Sequence, residues 1–250
     1  MKRISFTFYS ILIVSVAGIL LSTKAVSQIS FQAGGGIGYV IPSGDFGGTT
    51  MDFYAGSKYG ISAGFNLHAK GRMNFQALGI VGKIGYTSMS NDGESEPGRG
   101  KVELSQKLFS IEVGPEYHVN LPGSPLAPYV GANLALNSFS GEVTFNGVAN
   151  VPSGTFSVES ATRLGLGFTG GAMFKISNVT SLDIGFSYQI LNLIGRSWDD
   201  TDPSKDQRLD SYKSFNDEKD PIALDANEHF IGSSRSIHSF QITASILFNL

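Results

Sequence analysis

Past residue 28 the chain alternates. Phe31, Ala33, Gly35, Ile37, Tyr39 and Ile41 fall on one face, against Gln32, Gly34, Gly36, Gly38 and Val40 on the other. A period of two is the mark of a β-strand, because successive side chains point to opposite sides of the pleat. The same alternation runs through residues 59–70, 78–87, 109–119, 130–137, 163–176, 182–190 and 240–250. The pattern predicts eight strands of roughly nine to thirteen residues, the length a tilted strand needs to cross a bilayer.

Alternation by itself fits a soluble barrel and a membrane barrel equally, and two features separate them. The less apolar face is built mostly of Gly, Ser, Asn and Thr, where a water-facing surface would carry many more Lys and Glu. Small polar side chains suit the crowded interior of a narrow barrel instead. The connections also alternate, short near 70–74, 120–127 and 177–180, long near 42–57, 88–101, 140–155 and 195–235. Short turns at one end and long loops at the other, with an even number of strands, are the pattern of outer-membrane barrels. The expected fold is all-β: an eight-stranded antiparallel up-and-down transmembrane β-barrel with short periplasmic turns, long extracellular loops and both termini periplasmic. Closure leaves no edge strand exposed.

The first 27 residues read differently. Lys2 and Arg3 precede an uncharged, largely apolar stretch, which ends in a small-residue segment with Ala25 and Ser27. That is the layout of a secretory signal peptide cleaved after Ser27, leaving residues 28–250 as the barrel domain. Cleavage removes three basic and no acidic residues, taking the net charge from −3 to −6. Composition narrows the chemistry further. With no Cys there are no thiolate metal sites or thiol nucleophiles, and only 16% of residues are charged. A basic nucleic-acid binder and a charge-rich disordered chain are both excluded. Gly numbers 31, which suits a chain that needs small side chains on one face of its strands.

Three segments carry a family resemblance: the glycine-rich first strand FQAGGGIGYVIPSGDF, the segment PLAPYVGANLAL and the closing strand SFQITASILFNL. With the leader, they make the chain resemble the small outer-membrane β-barrel proteins of Gram-negative bacteria, especially the Bacteroidota-type outer membrane protein β-barrel domain, akin to OmpA, OmpX and OmpW barrels. The resemblance implies an outer-membrane location, contact with lipid and lipopolysaccharide, and delivery by periplasmic chaperones to the barrel assembly machinery. It implies no cofactor. In this family the last strand commonly ends in an aromatic residue; here the end is Leu250, with Phe248 two back on the same face.

Candidate chemistry lies in three places. Lys83, Glu112, Glu116, Arg163, Asp183, Lys175, His68 and His118 fall on inward positions and form an expected lumen charge network. In so narrow a space buried charges must pair. Lys83 and Glu112, on neighbouring strands at similar depth, are the first pair expected. Asp199, Asp200, Asp202 and Asp206 cluster oxygens in the longest loop and make a weak cation site, without the Gly and terminal Glu of an EF-hand. That loop carries ten acidic and four basic residues between 199 and 228 and reads as solvated. His238 and Ser239 bring a base and a hydroxyl together in sequence, but adjacent strand residues face opposite ways. The reading is a non-enzymatic barrel with a largely plugged polar lumen, acting through surface loops or in envelope integrity. The alternative is a small pore or a conduit for a hydrophobic ligand.

Overall fold

A computed structural model describes residues 29–198, 207–220 and 231–250. Eight strands form one closed antiparallel ring in chain order: β1 Ser30–Gly44, β2 Gly64–Phe75, β3 Leu78–Glu96, β4 Arg99–His118, β5 Leu126–Asn146, β6 Gly154–Lys175, β7 Thr180–Ile194 and β8 Ile237–Asn249. Two short helices, α1 Thr50–Tyr54 and α2 Gln207–Lys213, lie in the two longest connections. Among the described residues no helix is long and apolar enough to cross a membrane, so the strands must do it.

The register fixes the geometry of the ring. A path that starts at Lys107 on β4 steps between partners through Ser88, Phe65, Tyr39, Ile242, Phe186, Gly170 and Val130. It returns to β4 at Tyr117, ten residues below its start. Such a stagger around eight strands tilts them by roughly 40° from the barrel axis and leaves a lumen just wide enough for side chains to fill. Pro115 is tolerated because the ladder to β5 lapses at Gly114 and Pro115 and resumes in the same register at Glu116.

The outer surface carries a lipid-facing band. Phe65, Ile84, Ile111, Leu134, Phe168, Phe186 and Ile242 all point outward and are exposed. Down β4 the outward face reads Phe109, Ile111, Val113, Pro115 and Tyr117, with exposed Val119 just beyond. At that tilt the stretch spans roughly 25 Å, the height of an outer-membrane apolar band. Aromatic side chains mark both borders: Tyr39, Tyr86, Phe109 and Phe240 on one side, Phe31, Tyr117, Phe174 and Phe248 on the other.

Above the band the strands depart from expectation. The segments 88–101 and 140–155, read as long loops, are continuations of the wall. β3 to β6 run for 19, 20, 21 and 22 residues, against 15, 12, 15 and 13 for β1, β2, β7 and β8. Four strands therefore rise past the rim as a half-wall. Polarity inverts there without a change of face. Outward positions of β4 become Arg99, Lys101, Glu103, Ser105 and Lys107, while inward positions become Val102, Leu104 and Leu108. On β5 the outward face turns to Ser138, Ser140, Glu142 and Thr144, and the inward face to Phe139, Val143 and Phe145. The strand passes from lipid outside and polar groups inside to water outside and an apolar filling inside.

That filling comes from the two long loops. Phe46, Phe53 and Tyr59 from the first, and Tyr212 and Phe215 from the last, are buried against Phe139 and Phe145. Ring centroids lie 4.8 Å apart for Phe139–Phe215 and 5.0 Å for Phe145–Tyr212. Residues 59–61, expected at the start of β2, belong to this filling, and β2 begins at Gly64. The last loop, expected to be solvated, buries Tyr212 and Phe215 at 1% and 3% exposure. α1 covers the free edge of β3: Thr50 Oγ1 donates to the Glu94 carbonyl at 2.7 Å, and Asn91 Nδ2 donates to the Gly60 carbonyl at 2.7 Å. The loop thus satisfies one backbone carbonyl of that edge and covers it, rather than leaving it to another chain.

Candidate functional site

The lumen is crossed by paired charges at three depths. In the lower tier, nearer the chain termini, Lys70 and Arg72 of β2 meet Glu116 of β4 and Asp183 of β7. Lys70 Nζ lies 2.8 Å from Asp183 Oδ2 and 3.3 Å from Glu116 Oε1. Arg72 Nη2 lies 2.7 Å from Glu116 Oε2 and 2.9 Å from Asp183 Oδ2. Tyr129 of β5 donates its hydroxyl to Asp183 Oδ1 at 2.6 Å, and both cations stand over its ring. This spans the barrel from wall to wall. Glycine makes the room: a Cβ on Gly171 or Gly185 would come within 2.6 or 2.9 Å of the Tyr129 hydroxyl.

In the middle tier Lys83 Nζ lies 2.8 Å from Glu112 Oε1. Glu112 Oε2 also accepts from Asn133 Nδ2 at 3.0 Å and from Gln189 Nε2 at 3.2 Å. Beside it the His68 ring nitrogens lie 2.8 Å from Asn66 Oδ1 and from Ser245 Oγ. Between these tiers is a cavity of about 40 Å³, bordered by Lys70, Lys83, Glu112, Glu116 and Tyr129. That is room for a few water molecules. Three cations, Lys70, Arg72 and Lys83, face three carboxylates, Glu112, Glu116 and Asp183, so the two tiers are electrically neutral.

The upper tier sits at the rim. Arg163 Nε donates to Asp217 Oδ2 at 3.0 Å, and Asp217 also accepts from Asn192 Nδ2 at 3.2 Å and from the Ser197 backbone N–H at 2.8 Å. One loop carboxylate thereby ties β6 and β7 to the aromatic filling above.

A closed eight-strand ring with an apolar outside and a charged inside narrows the families to membrane barrels. Residues 11–213 match the model of the outer membrane protein β-barrel domain. The chain belongs to that family. It is an outer-membrane β-barrel, set in lipid and lipopolysaccharide. Among solved structures the barrel is similar to Neisserial surface protein A, with 16% identity and a TM-score of 0.51 over 89% of this chain and 99% of that one. It is also similar to the outer membrane protein OprG of Pseudomonas aeruginosa, with 12% identity and a TM-score of 0.48 over 88% and 95% of the two chains. The first of these likenesses shows a shared fold. Comparison with curated proteins returns no match.

Within this outer-membrane barrel the expected site residues are distributed unevenly. Lys83 with Glu112, and Glu116 with Asp183, stand in the two lower tiers. His118 joins them, with Nε2 at 3.5 Å from Glu116 Oε2. Arg163 stands apart from them and pairs with a loop residue. Lys175 is the correction: it keeps the inward phase but lies at the last position of β6, where the barrel opens to solvent, and it is exposed. Asp199, Asp200, Asp202 and Asp206 lie outside the described residues. His238 faces outward, its Nδ1 2.8 Å from the Tyr188 hydroxyl, while Ser239 is buried on the other face. Sequence reasoning missed Lys70, Arg72, Tyr129 and Asp217 as site residues. Arg72 carried a usable signal, because it continues the inward series His68, Lys70. The turn expected near 70–74 hid it; the turn is Gln76–Ala77, with Gln76 at φ 59°.

Proposed function

We propose that the protein is a non-enzymatic integral barrel with a plugged lumen, which works by holding its half-wall and two long loops outside the cell or by reinforcing the envelope. The observation that carries this reading is the obstruction: paired charge tiers at three depths, closed above by an aromatic filling. A lumen gap of about 40 Å³ suits water and is too small for a hydrophobic solute. The opposite facing of His238 and Ser239 supports a non-catalytic rim. In this reading residues 1–27 are a cleaved signal peptide, periplasmic chaperones and the assembly machinery deliver the chain, and both termini face the periplasm. The extracellular partner is met by the half-wall end.

Planar-bilayer recording tests the plug. The expected result is no sustained conductance from the intact chain. Steady open channels would replace this reading with a small pore. Protease added to intact cells should cut within 195–236 and spare the turns at 76–77 and 176–179. The opposite pattern would invert the orientation.

A further inference from the structure

The rim contains a second arginine that the charge tiers do not use. Arg235 is 2% exposed, and among the described residues it forms no ion pair. Asp217, the nearby carboxylate, is already committed to Arg163, Asn192 and Ser197. Arg235 Nη2 donates to the Asn216 carbonyl, which also accepts from the Tyr59 hydroxyl. Its guanidinium carbon stands 4.0 Å from the centre of the Tyr59 ring. Its Nε–H is buried and has no partner.

A guanidinium stays protonated under all ordinary conditions, so this charge cannot be shed by titration. Burying it without a counter-ion is costly, and an aromatic face offsets only part of the cost. Tyr59 cannot supply the missing charge. Burial pushes its hydroxyl well above the usual phenol range, against the opposing pull of Arg235, so it stays neutral. Beside Arg235 lies a cavity of about 30 Å³, bordered by Phe53, Tyr59, Tyr212, Phe215 and Ser214. Glu142 is the one acidic residue at its border, and it is exposed on the outer face of β5. The lining joins aromatic rings to the polar side chains of Ser105, Gln106, Ser211 and Ser214 and to the cationic Arg235 itself, and the space takes one small monatomic ion or two waters.

We propose that Arg235 and this cavity form a binding site for a halide-sized anion, which neutralises the rim and holds the two loops closed over the half-wall. The site favours chloride over larger oxyanions by size. Binding to the closed form alone shifts the loops toward closure by mass action.

The test uses the full chain folded in detergent. Chymotrypsin cleavage at Tyr212 and Phe215 reports loop opening, because both are buried when the loops are closed. At constant ionic strength, replacing sodium gluconate by sodium chloride should slow cleavage several-fold and saturably in the intact chain. Arg235→Gln should cleave at one rate in both salts. A second measurement needs no variant: crystals grown in sodium bromide should show an anomalous peak in contact with the Arg235 guanidinium. A cleavage rate indifferent to halide, an equal halide effect in Arg235→Gln, or a bromide map without a peak at Arg235 would each overturn the proposal.

Discussion

At the scale of single residues the lumen is organised by satisfaction rather than by charge alone. Glu112 accepts from Lys83, Asn133 and Gln189, and Asp183 accepts from Lys70, Arg72 and Tyr129. Removing one partner leaves the other buried and exposed to the full desolvation cost. Lys83→Met should therefore weaken the barrel by about 3–5 kcal/mol, and Lys83→Met with Glu112→Leu by clearly less. Denaturant unfolding in phospholipid vesicles checks this; equal losses in the single and double variants would show that the pair is not coupled. The pair was legible because both residues alternate in phase on neighbouring strands at matching depth. Arg235 was not, because nothing periodic surrounds it and the ring it stands over, Tyr59, comes from a loop more than 170 residues earlier.

At the scale of elements, one strand serves two solvents. Outward positions on β4 and β5 want apolar side chains below the rim and polar ones above it, and the strand does not bend or break to make the change. Phe186→Arg, within the band, should cost about 2–4 kcal/mol. Glu142→Arg, on the same outward face above the rim, should stay within about 0.5 kcal/mol of wild type. Matched folding titrations of the two variants decide whether the rim lies where the inversion puts it. This inversion also explains what the sequence concealed. Residues 88–101 and 140–155 still alternate, but with the polarity of the two faces exchanged, so a search for apolar-out strands reads them as loops. The lipid-facing positions had no such disguise, and all seven of those named above face outward.

The loops that close the half-wall have their own local supports. Thr49 and Asp52 form a capping box at α1: the Asp52 backbone N–H donates to Thr49 Oγ1 at 3.1 Å, and the Thr49 backbone N–H donates to Asp52 Oδ2 at 2.8 Å. Hydrogen bonding from the Thr49 backbone, then from its hydroxyl, holds the Asp52 carboxyl below the usual aspartate range. A lowered folded-state value means the cap contributes fully above the ordinary aspartate pKa and is lost as pH falls through the folded one. The Thr49 amide resonance should titrate with a midpoint below that of a free aspartate, and Asp52→Asn should abolish the transition. A midpoint at or above the free value would contradict the capping box.

At the scale of the whole molecule, two environments share one set of strands. The ring in the membrane is closed by its own ladders, while the half-wall is finished by loops that cover its concave face. Deleting 207–220 should leave an inserted barrel that still shifts on heating in gels, because ring closure runs through β7 and β8. The same deletion strips Tyr212 and Phe215 from Phe139 and Phe145. It should add binding of a hydrophobic dye and erase the near-ultraviolet dichroism of the cluster. A deletion variant that fails to insert would mean the loop takes part in building the ring.

β3 to β6 enter the membrane as continuous strands, their ladders interrupted by the lapse at Gly114 and Pro115 and by a register shift between Phe139 and Gly141, so the half-wall is joined to the barrel with no loop between. A pull on its tip is carried down four hydrogen-bonded strands instead of being absorbed in slack chain. The load arrives off the barrel axis, because the other four strands stop at the rim. A sideways tug at the surface becomes a torque that leans the whole cylinder against its lipid annulus. The geometry is that of a mast stepped in the membrane: a load placed at the top would be felt at the waterline.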